Sequence, residues 1–403
     1  MINDYAGIAP KGDLILLKRM GDRLKDRTFL HVNSTKAGGG VAEILNRMIP
    51  MLQELGIRSR WEVIEGDEPF FETTKLFHNT LQGDRAVITP EMWEHHHHIN
   101  QVNAEKMDLG ADMVLIHDPQ PVPLIEYKKD GHWVWRCHID LSKPYPEVWQ
   151  PISRYVQQYH GVIFSVAKFA QDLTLDTFVI PPSIDPISEK NRDLSAEEID
   201  DVLDELRIPR DRPIVLQVSR FDRFKDPIGV IQAYRMAKKY NDCILILVGS
   251  SAADDPEGEK MLEEVRNFCQ EDPDIFLLLL PAGSDLKINA LQRAATIVLQ
   301  KSLKEGFGLT VSEAMWKGKP VIGGAVGGIP LQIIHGVTGF LVHSIEGAAF
   351  RIRQLLNNPE MVNRIGEQAR EYVRKNFLIT RQMRDYLAVW LALENNGRPQ
   401  LEL

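Results

Sequence analysis

The sequence predicts an α/β protein made of two doubly wound, Rossmann-like domains with a deep cleft between them. Short apolar runs alternate with amphipathic stretches along most of the 403 residues, a pattern typical of parallel strands joined by crossover helices. The alternation is interrupted at residues 181–186, where three prolines in six positions continue neither a helix nor a central strand. We therefore place a domain linker there, with residues 1–183 before the boundary and residues 184–379 after it.

The first domain is predicted to contain six strands, each a short apolar run bounded by polar or turn-forming residues. They lie at residues 28–32, 61–64, 113–117, 134–138, 161–165 and 178–180. An amphipathic helix follows the first of them, because Val41, Ile44, Leu45, Met48 and Leu52 recur at helical spacing.

The second domain is predicted to contain five strands separated by helical patterns. These strands lie at residues 214–218, 244–248, 275–280, 296–299 and 320–322. The tail over residues 348–393 has mostly helical periodicity.

Composition excludes several classes of function. A net charge of -9 argues against a nucleic-acid partner, and no apolar run approaches the roughly 18 residues of a membrane helix. The N-terminus has no secretory pattern, so a cytoplasmic protein is expected, and a homodimer is left open. Three cysteines without CxxC spacing predict free thiols.

The run His95-His96-His97-His98 suggests a metal site, but neighbouring helical residues point about 100° apart and do not converge on one ion. We favour a polar helix face. His95 and His98 share a face, so a fortuitous surface site stays open.

Three loops that follow predicted strands have the composition of ligand sites. Gly38, Gly39 and Gly40 precede a helix, so their amides suit an anion or a sugar, although the motif also fits a plain tight turn. Arg220 and Lys225 follow the strand at 214–218, where they suit a diphosphate or belong to a solvated loop.

The third loop, residues 305–315, is the most informative. Gly306 and Gly308 permit a tight turn, and a helix starting near Leu309 places its N-terminus beside the loop. Glu305 and Glu313 would repel a phosphate unless they contact hydroxyl groups. This combination suggests a sugar nucleotide.

Glu305 and Glu313, with seven residues between them in EGFGLTVSEAM, resemble the EX7E motif of the retaining GT-B glycosyltransferases of family 4, the glycogen-synthase-like group. Residues 323–330 and 336–342 also match that family's C-terminal half. One departure is Leu331, where many relatives have Glu. Residues 117–121 and 136–142 are most similar to the trehalose-forming subgroup.

The resemblance implies a role for each matching residue. The donor sugar would contact Glu305 and the loop after it, the ribose would contact Glu313, and Arg220 would neutralise the diphosphate. The remaining donor contacts would be Lys225, Gly306, Phe307, Gly308, Leu309 and the loop Gly38, Gly39 and Gly40. His138 would face the donor sugar, with a strand-end histidine as the alternative.

The acceptor sugar would contact Asp118, Gln120 and Asp140, for which loop capping is an equally good interpretation. The family also implies that the first domain binds the acceptor and the second the nucleotide sugar. The C-terminal helix, residues 380–403, would cross back to the first domain.

The resemblance implies transfer of glucose from ADP-glucose or UDP-glucose to free glucose, giving α,α-trehalose reversibly. Catalysis would rest on Arg220, Lys225, Glu305 and His138. The alternatives are another acceptor (a sugar phosphate, fructose or a glucan end) and a non-catalytic sugar-nucleotide sensor. No cofactor and no protein-bound metal are expected, and Mg²⁺ would stimulate only through the nucleotide.

Overall fold

The structure, a computed structural model, describes residues 1–36, 39–250, 256–269 and 272–395. It divides into two units, one from Ser183 to Leu378 and the other formed by Met1–Pro182 together with the chain from Ile379 onward. The predicted boundaries were 183/184 and 379/380. Each unit contains a parallel six-stranded sheet, which confirms the predicted α/β class with two Rossmann-like sheets.

Neighbouring strands run parallel to each other in both sheets. The strands of the first unit are β1 (Thr28–Asn33), β2 (Arg58–Val63), β3 (Met113–His117), β4 (His132–Cys137), β5 (Gly161–Phe164) and β6 (Asp176–Val179). Those of the second unit are β7 (Ile214–Val218), β8 (Ile244–Ser250), β9 (Ile275–Leu280), β10 (Ile297–Gln300), β11 (Val321–Gly324) and β12 (Gly339–Val342).

Most of the helices connect one strand to the next, as the crossover pattern requires. In chain order they are α1 (Lys11–Arg23), α2 (Gly39–Glu54), α3 (Glu68–Leu81), α4 (Pro90–Lys106), α5 (Pro146–Val156), α6 (Ala196–Glu205), α7 (Pro227–Lys238), α8 (Pro256–Cys269), α9 (Asp285–Ala294), α10 (Leu309–Trp316), α11 (Ile329–Gln332), α12 (Ile345–Leu356), α13 (Pro359–Asn376) and α14 (Ile379–Glu394). Among the described residues, none of these helices is both long enough and apolar enough to cross a bilayer.

Strand order decides where each sheet can bind a ligand. The first sheet has the order β2-β1-β3-β4-β5-β6. The chain adds β2 on one side of β1 and all later strands on the other side, so the strand order reverses between β1 and β3. The second has the order β12-β11-β10-β7-β8-β9 and reverses between β7 and β10. Doubly wound sheets bind ligands at the carboxyl ends of the strands beside this reversal. The loops after β1, β3, β7 and β10 are therefore the candidate binding loops.

Helix α14 belongs to the first unit, although it is far away in sequence from the rest of that unit. Its Trp390 ring lies edge-on to Phe29 of β1, with ring centroids 5.2 Å apart. Arg384 forms a salt bridge with Asp13 of α1. The helix thus covers the face of the sheet that carries Phe29.

The structure corrects two details of the predicted strands. The second sheet has a sixth strand, β12, that the sequence analysis did not predict, because it is four residues long and begins at a glycine. Strand β4 ends at Cys137, so His138 lies in the loop beyond it rather than inside the strand. His138 therefore stands at the carboxyl edge of the first sheet.

Candidate active site

The structure brings Lys225 and Glu305 into direct contact in the second unit. Lys225 Nζ donates to Oε2 of Glu305 across 2.7 Å, and both side chains are largely buried. Two further donors reach the same oxygen, the Gln300 amide at 3.2 Å and the Ser302 hydroxyl at 3.0 Å. Oε2 is thus fully engaged. Oε1 has no hydrogen bond from any residue that the structure describes, so it is the carboxylate oxygen that can accept from a ligand hydroxyl.

The loop that carries Glu305 is held by the glycine-rich segment after β11. Gly328 N donates to the carbonyl of Gly306 across 2.8 Å. Gly327 adopts φ +56°, and a Cβ there would lie 1.7 Å from the Glu305 carbonyl oxygen, so only glycine fits. Gln332, fully buried, donates to the Phe307 carbonyl across 2.6 Å. This contact sits beside Leu331, the departure from the family pattern.

Helix α10 begins beside this loop, as predicted. Gly308, at φ +83°, is its N-cap, and Leu309 is its first residue. Glu313 lies on this helix and is 5% exposed. Lys190 Nζ lies 3.9 Å from Oε1 of Glu313 and 3.7 Å from Asp285, so Glu313 faces a cation inside the unit.

Arg220 and Lys225 share a loop but have different surroundings. Arg220 is exposed, and its Nη2 lies 3.5 Å from Oδ2 of Asp222. Lys225 is held on its backbone side as well, because Gln217 Nε2 donates to its carbonyl across 2.8 Å. The next residue, Asp226, caps α7 at φ +51° and pairs with Lys301. An exposed Arg and a largely buried Lys therefore line one loop.

In the first unit, the glycine loop lies at the carboxyl end of β1. Gly39, at φ +79°, and Gly40 are the first residues of α2. Gly38 lies outside the described residues. Asn33, the last residue of β1, donates to the carbonyl of Thr35 across 2.8 Å and accepts from Trp61. Hydrogen bonds of Asn33 therefore hold the start of the loop, and the N-terminus of α2 lies at its end.

His138 is joined to two other histidines that the sequence analysis did not single out as a group. Its Nε2 lies 3.1 Å from Nδ1 of His117, and Nε2 of His117 lies 3.2 Å from Nδ1 of His31. Burial lowers the pKa of His31 to about 3. Burial also lowers the pKa of His117 and His138 well below the usual histidine value, so all three imidazoles are neutral near pH 7.

Asp118 lies beside this row of histidines and caps the backbone of the loop that carries His138. Its Oδ1 accepts from the His138 amide across 2.7 Å, and its own backbone is left-handed at φ +64°. Burial raises the pKa of its carboxyl to about 7, partly offset by that hydrogen bond and by Arg136. Arg136 itself is fully buried, with Nη2 donating to Ser165 across 3.2 Å.

The other two predicted acceptor residues also take part in loop geometry. Asp140 Oδ1 accepts from the Ser142 amide across 2.9 Å. Gln120 accepts through its backbone carbonyl from His96 and Asn100. Its side-chain Oε1 is buried and has no partner within the described part of the chain. Gln120 therefore keeps an oxygen that can accept from a hydroxyl.

The histidines of the run on α4 have separate partners. His95 pairs with Asp67 and His97 with Glu126, each at 2.8 Å. His96 is buried, with its pKa lowered by that burial to about 4, so the run is not a wholly polar face as we expected. Within the described ranges, no cluster of His, Cys, Asp and Glu side chains could hold a metal ion. The three cysteines are free and buried.

Sequence reasoning missed the residues that support the site. They are the buried polar side chains Gln217, Gln300, Ser302, Gln332, His31 and His117. Gln217, Gln300 and His117 stand within one residue of the carboxyl end of an otherwise apolar strand, and a polar residue in that position was the available signal. Buried polar groups need hydrogen-bond partners, so such residues indicate a hydrogen-bonded network inside the unit.

Comparison with known proteins shows the family to which the chain belongs. Residues 31–171 match the family model for the N-terminal domain of trehalose synthase, and residues 198–372 match that for glycosyl transferases group 1. Trehalose synthase of Pyrococcus horikoshii is 47% identical over 395 residues, which cover 96% of this chain and 95% of that one. Trehalose synthase of Rubrobacter xylanophilus is 40% identical, covering 97% and 96%.

Solved structures show the same fold. A sucrose-phosphate synthase from Thermosynechococcus elongatus superposes with a TM-score of 0.72 at 19% identity, covering 92% of this chain and 100% of that one. At this identity the likeness shows the fold alone, and it agrees with the GT-B class predicted from the sequence. The family models and the trehalose synthase matches above identify the chain as a glycosyltransferase. The chain belongs to the trehalose synthase family of group 1 glycosyltransferases.

Proposed function

We propose that the protein is a retaining glucosyltransferase that joins ADP-glucose or UDP-glucose to free glucose, giving α,α-trehalose and the nucleoside diphosphate. The observation that carries the proposal is the contact between Lys225 and Glu305, which places a cation and a free carboxylate oxygen at the strand reversal of the second sheet. The similarity to trehalose synthases along nearly the whole chain supports the product.

The second unit is proposed to hold the nucleotide sugar. Oε1 of Glu305 and the amides that follow it would bind hexose hydroxyls, and Glu313 would accept from the ribose. Lys225 and the exposed Arg220 would neutralise the diphosphate as it leaves. Such groups act mainly in the transition state, because the charge on the leaving oxygen grows as the bond to the sugar breaks.

The proposed step conserves atoms and configuration. The bond from the donor's anomeric carbon to the diphosphate oxygen breaks, and a bond from that carbon to the acceptor's anomeric oxygen forms on the same face. The acceptor's hydroxyl proton passes to the departing diphosphate. Glu305 is proposed to bind hydroxyls rather than to serve as a glycosidase acid, because Oε2 already accepts from an ammonium, an amide and a hydroxyl.

The first unit is proposed to bind glucose through Asp118, Gln120 and Asp140. Oε1 of Gln120, buried and unpartnered among the described residues, supports a hydroxyl donor as its natural ligand. Arg136 is the cation beside Asp118, but it is fully enclosed, so its position supports a neutral sugar rather than a phosphate on the acceptor.

A panel of donors and acceptors tests the proposal. ADP-glucose and UDP-glucose are each incubated with glucose, glucose 6-phosphate, fructose or a short glucan, and the linkage of every product is assigned by NMR. We expect α,α-trehalose from glucose. A 1,4 linkage or a preference for a phosphorylated acceptor would overturn the acceptor assignment. Absence of transfer to any acceptor, with nucleotide still bound, would support a sugar-nucleotide sensor instead.

A further inference from the structure

Three histidines form a hydrogen-bonded row across adjacent strands of the first unit. His31 lies on β1, His117 is the last residue of β3, and His138 follows β4. The nitrogens are 3.2 and 3.1 Å apart, while the ring centroids are 5.5 and 5.4 Å apart. The rings therefore meet edge to edge, and their planes are tilted by only 20° and 14°. This is the geometry of two successive imidazole hydrogen bonds.

The three rings are neutral, so each carries one N–H. His117 bonds through both nitrogens, and its single proton decides the direction of both hydrogen bonds. If the proton is on Nδ1 of His117, that nitrogen donates to His138, and Nε2 accepts from Nδ1–H of His31. If it is on Nε2, both bonds reverse. The row thus has two states, with all three protons on Nδ1 or all three on Nε2.

The inner end of the row decides between these states. Nε2 of His31 is buried and has no hydrogen-bond partner within the described residues. Aromatic side chains pack against this ring, with Phe29 at 4.2 Å and Tyr386 at 6.4 Å between centroids. The state with all protons on Nε2 would bury an unpaired N–H there. The other state leaves only a lone pair, and buried orphan N–H groups are the rarer of the two.

The outer end of the row is different. His138 is partly exposed, and its Nδ1 has no hydrogen bond to any residue that the structure describes. In the favoured state this nitrogen carries the proton and is a hydrogen-bond donor. The charged groups nearby are Arg136, which pairs in register with His117, and Asp118, whose carboxylate binds the His138 backbone rather than its ring.

We propose that His117, anchored by His31, is a positioning residue that holds His138 in its Nδ1–H tautomer. The outward Nδ1–H is then available to donate to a sugar hydroxyl oxygen at the carboxyl edge of the first sheet. The second statement depends on the proposed function, in which the first unit binds a sugar. The first statement concerns the ligand-free chain and stands apart from the reaction. This arrangement selects a substrate oxygen that can accept a hydrogen bond.

Two-bond ¹⁵N–¹H NMR of the histidine-labelled full chain, without ligand, reports which ring nitrogen carries each proton. Histidine-to-asparagine variants assign the signals. We expect Nδ1–H at His31, His117 and His138. An Nε2–H tautomer at His138, or an average of both tautomers, would overturn the proposal. This measurement needs no activity, so it is separate from the outcome of the donor and acceptor panel.

A matched pair of variants tests the direction of control. His117→Asn places an amide N–H near the position of Nδ1 and should keep His138 in its Nδ1–H tautomer. His117→Leu removes the donor, so His138 should become a mixture of tautomers, with kcat lowered about 3- to 10-fold as expected for one lost hydrogen bond. His117→Asn should recover most of that loss. An unchanged tautomer in His117→Leu would contradict the proposal.

Phe29→Leu is the structural control. It removes packing against the His31 ring and no polar atom, so it should lower stability and leave the His138 tautomer unchanged. A tautomer change in Phe29→Leu equal to that in His117→Leu would mean that packing, rather than the hydrogen bond, sets the tautomer. That result would also overturn the proposal.

Discussion

Lys225 donates to Glu305 across 2.7 Å, although 80 residues separate them in the sequence. The contact forms because β7 and β10 are neighbours at the strand reversal, so the loops after their carboxyl ends meet. In the ligand-free chain the pair balances its own charge. A diphosphate would therefore have to share Lys225 with Glu305, and Arg220, which is exposed, is the cation that can move toward the leaving group.

Replacing Lys225 or Arg220 by Ala should lower kcat by about 10²–10³, because each removes positive charge where negative charge develops in the transition state. Arg223→Ala removes a cation from the same loop, where it stacks on Phe224, and serves as the control with little change expected. Steady-state kinetics under saturating donor measure the effect. Turnover close to wild type in either of the first two variants would refute their assignment.

Glu313→Ala should raise the dissociation constant of the nucleoside diphosphate about 10- to 100-fold, with a smaller effect on kcat. A carboxylate bound to ribose hydroxyls acts in both the ground state and the transition state, and such charged hydrogen bonds contribute about 1.5–3 kcal/mol. Calorimetric titration measures the affinity. Glu360→Ala, at an exposed site in the first turn of α13, is the control, and equal affinities for all three proteins would exclude the ribose role.

Glucose 6-phosphate should be a poor acceptor compared with glucose. Its dianion would lie near the carboxyl groups of Asp118 and Asp140, and Arg136 is enclosed and already bonded to Ser165. An uncompensated charge of this kind costs several kcal/mol in a partly dry site, or about two orders of magnitude or more in kcat/KM. Parallel assays with the two acceptors check this, and a preference for the phosphorylated sugar would contradict it.

Acid should destabilise the first unit. Burial lowers the pKa of His31 to about 3 and of His96 to about 4, and lowers that of His117 as well. The unfolded chain therefore binds more protons below about pH 6.5, and the unfolding free energy falls as the pH falls. Asp118, whose pKa burial raises to about 7, opposes this with one proton over the same range. Three histidines outweigh it.

Urea unfolding at about pH 7 and about pH 5 measures this dependence. His96→Leu should lower by one the number of protons taken up on unfolding. The slope of the unfolding free energy against pH should then fall by up to ~1.4 kcal/mol per pH unit. His98→Gln, which replaces an exposed histidine of the same helix, is the control. A pH dependence that is the same in all three proteins would show that His96 is not kept neutral by the fold.

Exhaustive chelation should leave transfer activity largely intact. Lys225, Arg220 and the N-terminus of α10 supply positive charge for a diphosphate, so the proposed mechanism does not call for a bound divalent ion. Stimulation by added Mg²⁺ should follow its binding to the nucleotide in solution. Complete loss of activity after chelation, restored by one metal at a stoichiometric concentration, would contradict this expectation.

Much of the second unit was predictable because its signals are local. The apolar runs that became β7, β9 and β10 were visible in the sequence, as was the loop that begins at Glu305. Strand β12 was missed because four residues after a glycine carry little periodic signal. The family resemblance supplied residue roles that spacing did not, and those roles remain predictions.

Local patterns of residues were enough to predict the alternation of strands and helices, the proline-rich boundary and the residue types at the carboxyl ends of the strands, because each depends on neighbours within a few positions. Which of those ends meet depends on the strand order of the folded chain. The pairing of Lys225 with Glu305 and the row from His31 to His138 follow from strand order and register, which bring together residues that lie far apart in the sequence. The protonation state of these histidines also depends on the folded structure, because burial sets it and no local pattern of residues does.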